Sequence, residues 1–173
     1  NGLSALPPIN PVVFNYTVND IDGSTSSTTL TINTSLGIAA APDTCTVYEA
    51  GLAKGSAPLS LSAPTTASGN LLLNDGISVN TVITQVNGVT PGGGGIITVT
   101  DTIGTLQVWT TTGSGKQAGD YLYTLNDNTI SSPGTPVTDV RSYNYTIQDT
   151  VTLQTANSTL SVNVADDAPA ATN

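Results

Sequence analysis

In 173 residues the chain has no histidine, no methionine, one cysteine, one phenylalanine and one tryptophan. Without histidine there is no Ser-His-Asp or Cys-His arrangement for nucleophilic catalysis. With Cys45 as the single thiol, a Cys/His zinc site and a disulfide framework within the chain are also excluded. Cys45 is expected as a small buried side chain on a strand, the alternative being a disulfide between chains. Charge is scarce at 9% of residues, and basic residues are scarcest: Lys54, Lys116 and Arg141 face twelve acids, for a net charge of −9. With no basic patch to neutralise phosphates, nucleic acid and anionic membranes are not expected partners. No apolar run approaches the roughly 18 residues of a membrane helix, so membrane insertion is not expected. The chain opens on Asn1 with no leader peptide, which reads as a processed product or a section of something longer.

What the sequence does contain favours strands. Seventeen glycines, ten prolines and abundant Thr, Ser and Asn disfavour helix and suit short strands joined by tight turns. Apolar residues alternate with polar ones at Phe14, Tyr16 and Val18, at Leu30 and Ile32, at Leu59 and Leu61, at Tyr121, Tyr123 and Leu125, at Tyr143, Tyr145 and Ile147, and at Leu160, Val162 and Val164. Turn signals separate these runs: DG at 22–23 and 75–76, NG at 87–88, PGGGG at 91–95, GSG at 113–115 and SPGTP at 132–136. The pattern predicts an all-β chain folded as an Ig-like antiparallel β-sandwich.

An internal repeat sets the layout. FNYTVND at 14–20 returns as YNYTIQD at 143–149, and TTLTIN at 28–33 returns as STLSVN at 158–163. The first pair lies 129 residues apart and the second 130, so the later copy has one more residue in its turn. Residues 1–36 read as the terminal strands of a preceding repeat, or as donor strands. Residues 37–165 read as one complete sandwich, and 166–173 as an exit linker.

EAGLAKGS (49–56), SGNLLLNDG (68–76), TIGTLQVWTTTGSGKQAGDYLYTLNDN (102–128), YNYTIQD and VADDAPAA (164–171) follow one another in order. This ordered set resembles the tandem Ig-like repeats, VCBS-type and biofilm-associated RTX-type, of large bacterial surface adhesins exported by type I secretion. The resemblance covers essentially residues 11–171. It implies a structural bead in an extracellular, cell-surface fibre or adhesin stalk serving cell adhesion and biofilm, with calcium rigidifying the joints. The second hairpin departs from the family's Asp-x-Asp-Gly turn, since its loop reads QDTVTLQTAN.

Two acidic stretches are candidate calcium sites. Asp20 and Asp22 flank Ile21 and precede Gly23; carboxylates two apart can converge on one cation while glycine permits the turn, although the same motif serves as a plain hairpin turn. Asp166 and Asp167 sit at the exit linker of a charge-poor chain, where a junction cation accounts for adjacent acids and simple solvation is the alternative. The upstream linker, TSLGIAAAPD, has only Asp43. GSGK at 113–116 fails as a phosphate loop, because Thr110 stands where a glycine is required and Gln117 follows the lysine. Asp43 with Glu49 could be a glycosidase pair, but no cleft aromatics accompany them, so no enzyme is expected. Trp109 is expected to face outward, or to cover one end of the sandwich. The expected partners are neighbouring copies or repeats, joined by strand addition. The alternative function is a glycan- or receptor-binding module using loops such as 87–95.

Overall fold

The computed structural model describes residues 12–32, 37–128 and 138–167, with the backbone alone at Thr138. The SPGTP turn and the Ala-Pro part of the exit linker lie outside the described residues. Strands β1 (Val12–Asn19) and β2 (Thr25–Ile32) form an antiparallel hairpin that, among the described residues, pairs with no other strand. Eight further strands make two four-stranded sheets. One runs β3 (Asp43–Tyr48), β10 (Thr155–Ala165), β9 (Thr138–Asp149), β5 (Thr81–Val86). The other runs β4 (Thr66–Asn70), β8 (Asp120–Leu125), β7 (Gly104–Trp109), β6 (Ile96–Thr100). The chain is an all-β sandwich, as its alternation predicts, and the only helical pieces among the described residues are two short 3-10 turns, Glu49–Gly51 and Gly93–Gly95.

One pairing departs from the antiparallel expectation. β3 lies parallel to β10, from Leu160 opposite Asp43 to Ala165 opposite Tyr48. The first strand thus enters beside the last and sends the chain along the sandwich before it crosses to the other sheet.

Period-two alternation places the core. On β8 Tyr121, Tyr123 and Leu125 point inward, on β9 Tyr143, Tyr145 and Ile147, and on β10 Leu160, Val162 and Val164. Each such side chain removed from water stabilises by about 1.5–3 kcal/mol. Tyr123 and Tyr143 meet across the two sheets with ring centroids 6.0 Å apart, within the range of favourable tilted aromatic pairs. On β5 the alternation breaks: the register against β9 shifts between Ile83 and Gln85, so Val86 rather than Gln85 turns inward. This is a β-bulge, one extra residue re-aiming the strand.

Glycine matters most at Gly104. A Cβ there would sit 2.1 Å from the Tyr123 hydroxyl and 3.0 Å from the Thr124 carbonyl oxygen, so the Gly-Thr-Leu motif leaves room for a neighbouring tyrosine. Asn87 and Gly88, with φ of 47° and 78°, close a two-residue turn of the Asn-Gly kind. Ser114 and Gly115, with φ of 52° and 76°, do the same between Gly113 and Lys116, so GSGK is a hairpin turn.

Leu59 and Leu61 correct the sequence reading. Their alternation suggested a strand, but Leu59 has a φ of 59° and both side chains are exposed in a turn-rich loop. Alternation over three residues carries too little signal to outweigh the surrounding Ser and Pro.

Candidate functional site

Three places bear on function: the hairpin β1–β2 and the two ends of the sandwich. The hairpin copies β9–β10 in register. Phe14 lies opposite Leu30 as Tyr143 lies opposite Leu160, Tyr16 opposite Thr28 as Tyr145 opposite Ser158, and Val18 opposite Ser26 as Ile147 opposite Ala156. The copies differ in cover. Tyr145 is 1% exposed and Leu160 0%, whereas Tyr16 is 51% exposed and Leu30 52%. Val12, Phe14, Tyr16, Val18, Leu30 and Ile32 fall on one face and, Val13 apart, alternate with polar residues, giving the hairpin an apolar face that is exposed along its length.

The turns explain the acids. In the first hairpin Asp20 accepts a hydrogen bond from the Ile21 amide at 2.6 Å, and Asp22 accepts one from the Ser24 amide at 2.8 Å. The Ser24 hydrogen bonds hold the Asp22 carboxyl below its ordinary pKa. Both carboxylates therefore cap their own turn, closed by Asp20 N–H to Ser24 O at 2.7 Å, with Gly23 at a φ of 90°. In the second hairpin Asp149 N–H reaches Gln154 O at 3.0 Å, one residue further on, and Leu153 takes the left-handed position at a φ of 60°. There Asp149 accepts from the Val151 and Thr152 amides, both at 2.8 Å, and from the Ser78 hydroxyl. These bonds, the Ser78 hydroxyl foremost, pull its pKa down to about 2. One aspartate at the start of the turn thus does in the second copy what two do in the first.

At the downstream end, Asp167 accepts hydrogen bonds from the Ser56 amide at 2.7 Å and from the Ser56 hydroxyl. Asp166 and Asp167 line a cleft of about 470 Å³ with Glu49, Lys54 and Asp127. The fold therefore brings the predicted linker pair together with Glu49, which is buried, and with Asp127 from the loop after β8. Among the described residues no three Asp, Glu, Cys or His side chains converge on a common metal position.

The upstream end gathers residues that the sequence reading did not connect. Asp43 opens β3 and Asp75 lies midway along the loop between β4 and β5; the Tyr145 hydroxyl on β9 lies 3.0 Å from Asp43 Oδ2 and 3.4 Å from Asp75 Oδ1. Burial pushes the Asp43 carboxyl up to about 6, with the Asp75 charge adding to the rise, and burial raises Asp75 as well. Asp75 belongs to a DG pair that reads as a turn. The signal available in sequence was an aspartate one residue beyond an apolar run, LLLND, in a chain with so few charges. Asp43 opens β3 and Glu49 follows its last residue, about 20 Å away at roughly 3.3 Å per residue, well beyond the carboxylate spacing of a glycosidase pair.

Cys45 lies on β3, half-buried, and burial raises its thiol pKa. Trp109 occupies the outward side of β7, with the Lys116 ammonium 4.6 Å from its ring centroid. That cation covers the ring's face as a cation–π partner, so Trp109 presents no open stacking platform there. No family model matches the chain, and neither a curated protein nor a solved structure matches it.

Proposed function

We propose that this chain is a structural repeat of an extracellular, cell-surface fibre or adhesin stalk, serving adhesion and biofilm, in which β-sandwich beads follow one another through short linkers. The observation that carries this reading is the second copy of the closing hairpin. β1–β2 has the register and apolar face of β9–β10, but among the described residues no strands cover that face as the sandwich covers its counterpart. An exposed apolar sheet face with two free edges favours pairing. The partner that fits is a sandwich of this same kind whose own last hairpin is missing, in an upstream repeat or a neighbouring copy: β1 would pair as β9 does with β5, and β2 as β10 does with β3. The resemblance to type I-secreted adhesin repeats agrees with this, as does a polar, charge-poor, acidic composition.

Calcium at the joints is part of the same reading. Asp166, Asp167, Glu49 and Asp127 line the downstream cleft, and a following bead could supply the further oxygens that a calcium ion needs. Asp20 and Asp22 already serve their own turn, which makes them the weaker pair.

The test is a chain of several tandem copies of residues 37–165, imaged by negative stain. A twelve-residue β9 spans about 40 Å, so the images should show unbranched beaded filaments growing by about 40–50 Å per copy. Collapsed or irregular particles would refute the stalk. A specific hit on a glycan array would instead move the function to a binding module.

A further inference from the structure

The upstream end of the sandwich is crowded with acceptor oxygens and short of protons. The Tyr145 hydroxyl, itself buried, lies 2.8 Å from the Ala41 carbonyl, 3.0 Å from Asp43 Oδ2, 3.4 Å from the Leu71 carbonyl and 3.4 Å from Asp75 Oδ1. One hydroxyl has one proton to donate, so three of these four acceptors gain nothing from it. Asp75 Oδ1 has a second donor, the Ala41 amide at 2.7 Å. Asp75 Oδ2 is buried and has no hydrogen-bond partner, on a residue only 8% exposed. A buried carboxylate oxygen left without a donor is costly, and the chain's basic side chains are engaged elsewhere. Lys116 lies over Trp109, Arg141 pairs with Asp139 at 3.1 Å, and Lys54 lines the downstream cleft.

We propose that this cluster binds a hard divalent cation, calcium by its chemistry, held between the Asp43 and Asp75 carboxylates with the Ala41 and Leu71 carbonyl oxygens as further ligands. Carboxylate and main-chain oxygens are the ligand set calcium takes, and its flexible coordination suits a mixed group better than the strict octahedron of magnesium. The cation supplies the positive charge that the cluster lacks and meets the orphaned oxygen of Asp75. With only two carboxylates the affinity belongs to the weak extracellular class, a Kd on the order of 10⁻⁴–10⁻³ M. The site pins the start of β3 to the loop after β4, from opposite sheets, and so clamps the end at which a preceding bead would arrive. It stands whether or not the chain forms a fibre.

The test is thermal unfolding of the full chain in chelator, in 10 mM calcium chloride and in 10 mM magnesium chloride. Saturation at that concentration should raise the folding equilibrium constant roughly tenfold or more, a rise in melting temperature of about 3–6 °C. Asp75→Asn and Asp43→Asn should each abolish the calcium shift, while the double variant Asp166→Asn with Asp167→Asn keeps it. In chelator Asp75→Asn should melt at or above the wild type, because it removes a buried charge. Near-UV circular dichroism checks that each variant folds, and Asp43→Asn carries the test if Asp75→Asn does not. The proposal is overturned by no calcium shift in the wild type, by a shift that survives both upstream substitutions, by one lost only in the downstream double variant, or by an equal response to magnesium.

Discussion

Truncating the matched leucine in each hairpin separates a buried copy of the motif from an uncovered one. Leu160 and Leu30 hold the same register position, opposite Tyr143 and Phe14, at 0% and 52% exposure. Leu160→Ala deletes three carbons' worth of burial, roughly 2.4 kcal/mol at about 0.8 per methylene. The cavity left under β10 adds to this, for a total of about 3–4 kcal/mol. Leu30→Ala leaves no closed cavity, and its side chain is half in water already. Its effect should stay below about 0.5 kcal/mol and remain within the hairpin. Urea unfolding followed by fluorescence reads the sandwich alone, because the single tryptophan, Trp109, lies on β7. With a slope of about 1–3 kcal/mol per molar, the Leu160→Ala midpoint should fall by at least about 1 M, and the Leu30→Ala midpoint should not move. Equal shifts would show that β1–β2 is integral to the sandwich, and the reading of two differently covered copies would fail.

Other substitutions probe the packing and the acids. Gly104→Ala should cost about 1–3 kcal/mol in the same urea assay, since its methyl group would meet the Tyr123 hydroxyl; a neutral result would mean that the ring moves freely. Tyr145→Phe removes the hydroxyl proton offered to the Ala41 carbonyl and Asp43 and should lower stability by about 1–3 kcal/mol in chelator, with calcium narrowing the difference; an unchanged difference would separate the hydroxyl from the cation. The pH dependence in chelator follows from carboxyls moved in opposite directions, Asp43 and Asp75 upward and Asp22 and Asp149 downward. Asp43, raised from 3.8 to about 6, binds more protons folded than unfolded, so its contribution to stability falls as pH rises from about 4 to about 6. Asp149, lowered from 3.8 to about 2, contributes above about 4 and loses that contribution as pH falls toward 2. Melting curves in chelator should therefore decline between pH 4 and 6 in the wild type and less steeply in Asp43→Asn, where the raised Asp75 carboxyl remains; the same decline in both would remove Asp43 as its source.

Long runs of alternation made most of the fold legible. Tyr121, Tyr123 and Leu125, and likewise Leu160, Val162 and Val164, fall on inward positions because period-two patterning over a full strand states which face is buried. Short runs were not enough: Leu59 and Leu61 alternate yet lie in a turn. The bulge at Ile83–Gln85 depends on how β5 meets β9, a tertiary matter that local pattern does not encode. The parallel pairing of β3 with β10 is equally silent, because strand direction leaves no mark in composition. The repeat was readable even to its extra turn residue, which appears as the longer loop from Asp149 to Gln154. The adjacent acids Asp166 and Asp167 stand out in a charge-poor sequence, but Glu49 and Asp127, which line the same cleft, are brought beside them only by the fold. The upstream cluster was not found, because Asp43, Asp75 and Tyr145 are joined only when the two sheets close on each other.

Hydrogen exchange on β1–β2 tests the central claim most directly. The chain is compared with a longer one in which residues 37–129 are joined ahead of residue 1, so that the hairpin follows a front half at the natural period of the repeat. In the single chain at high dilution, the amides of 12–19 and 25–32 should exchange fast while those of β9 and β10 stay protected, as expected for a two-stranded hairpin with no sheet behind it. In the longer chain the hairpin amides should slow to match β9 and β10. Hairpin amides that exchange equally fast in both chains, or equally slowly in both, would contradict the account.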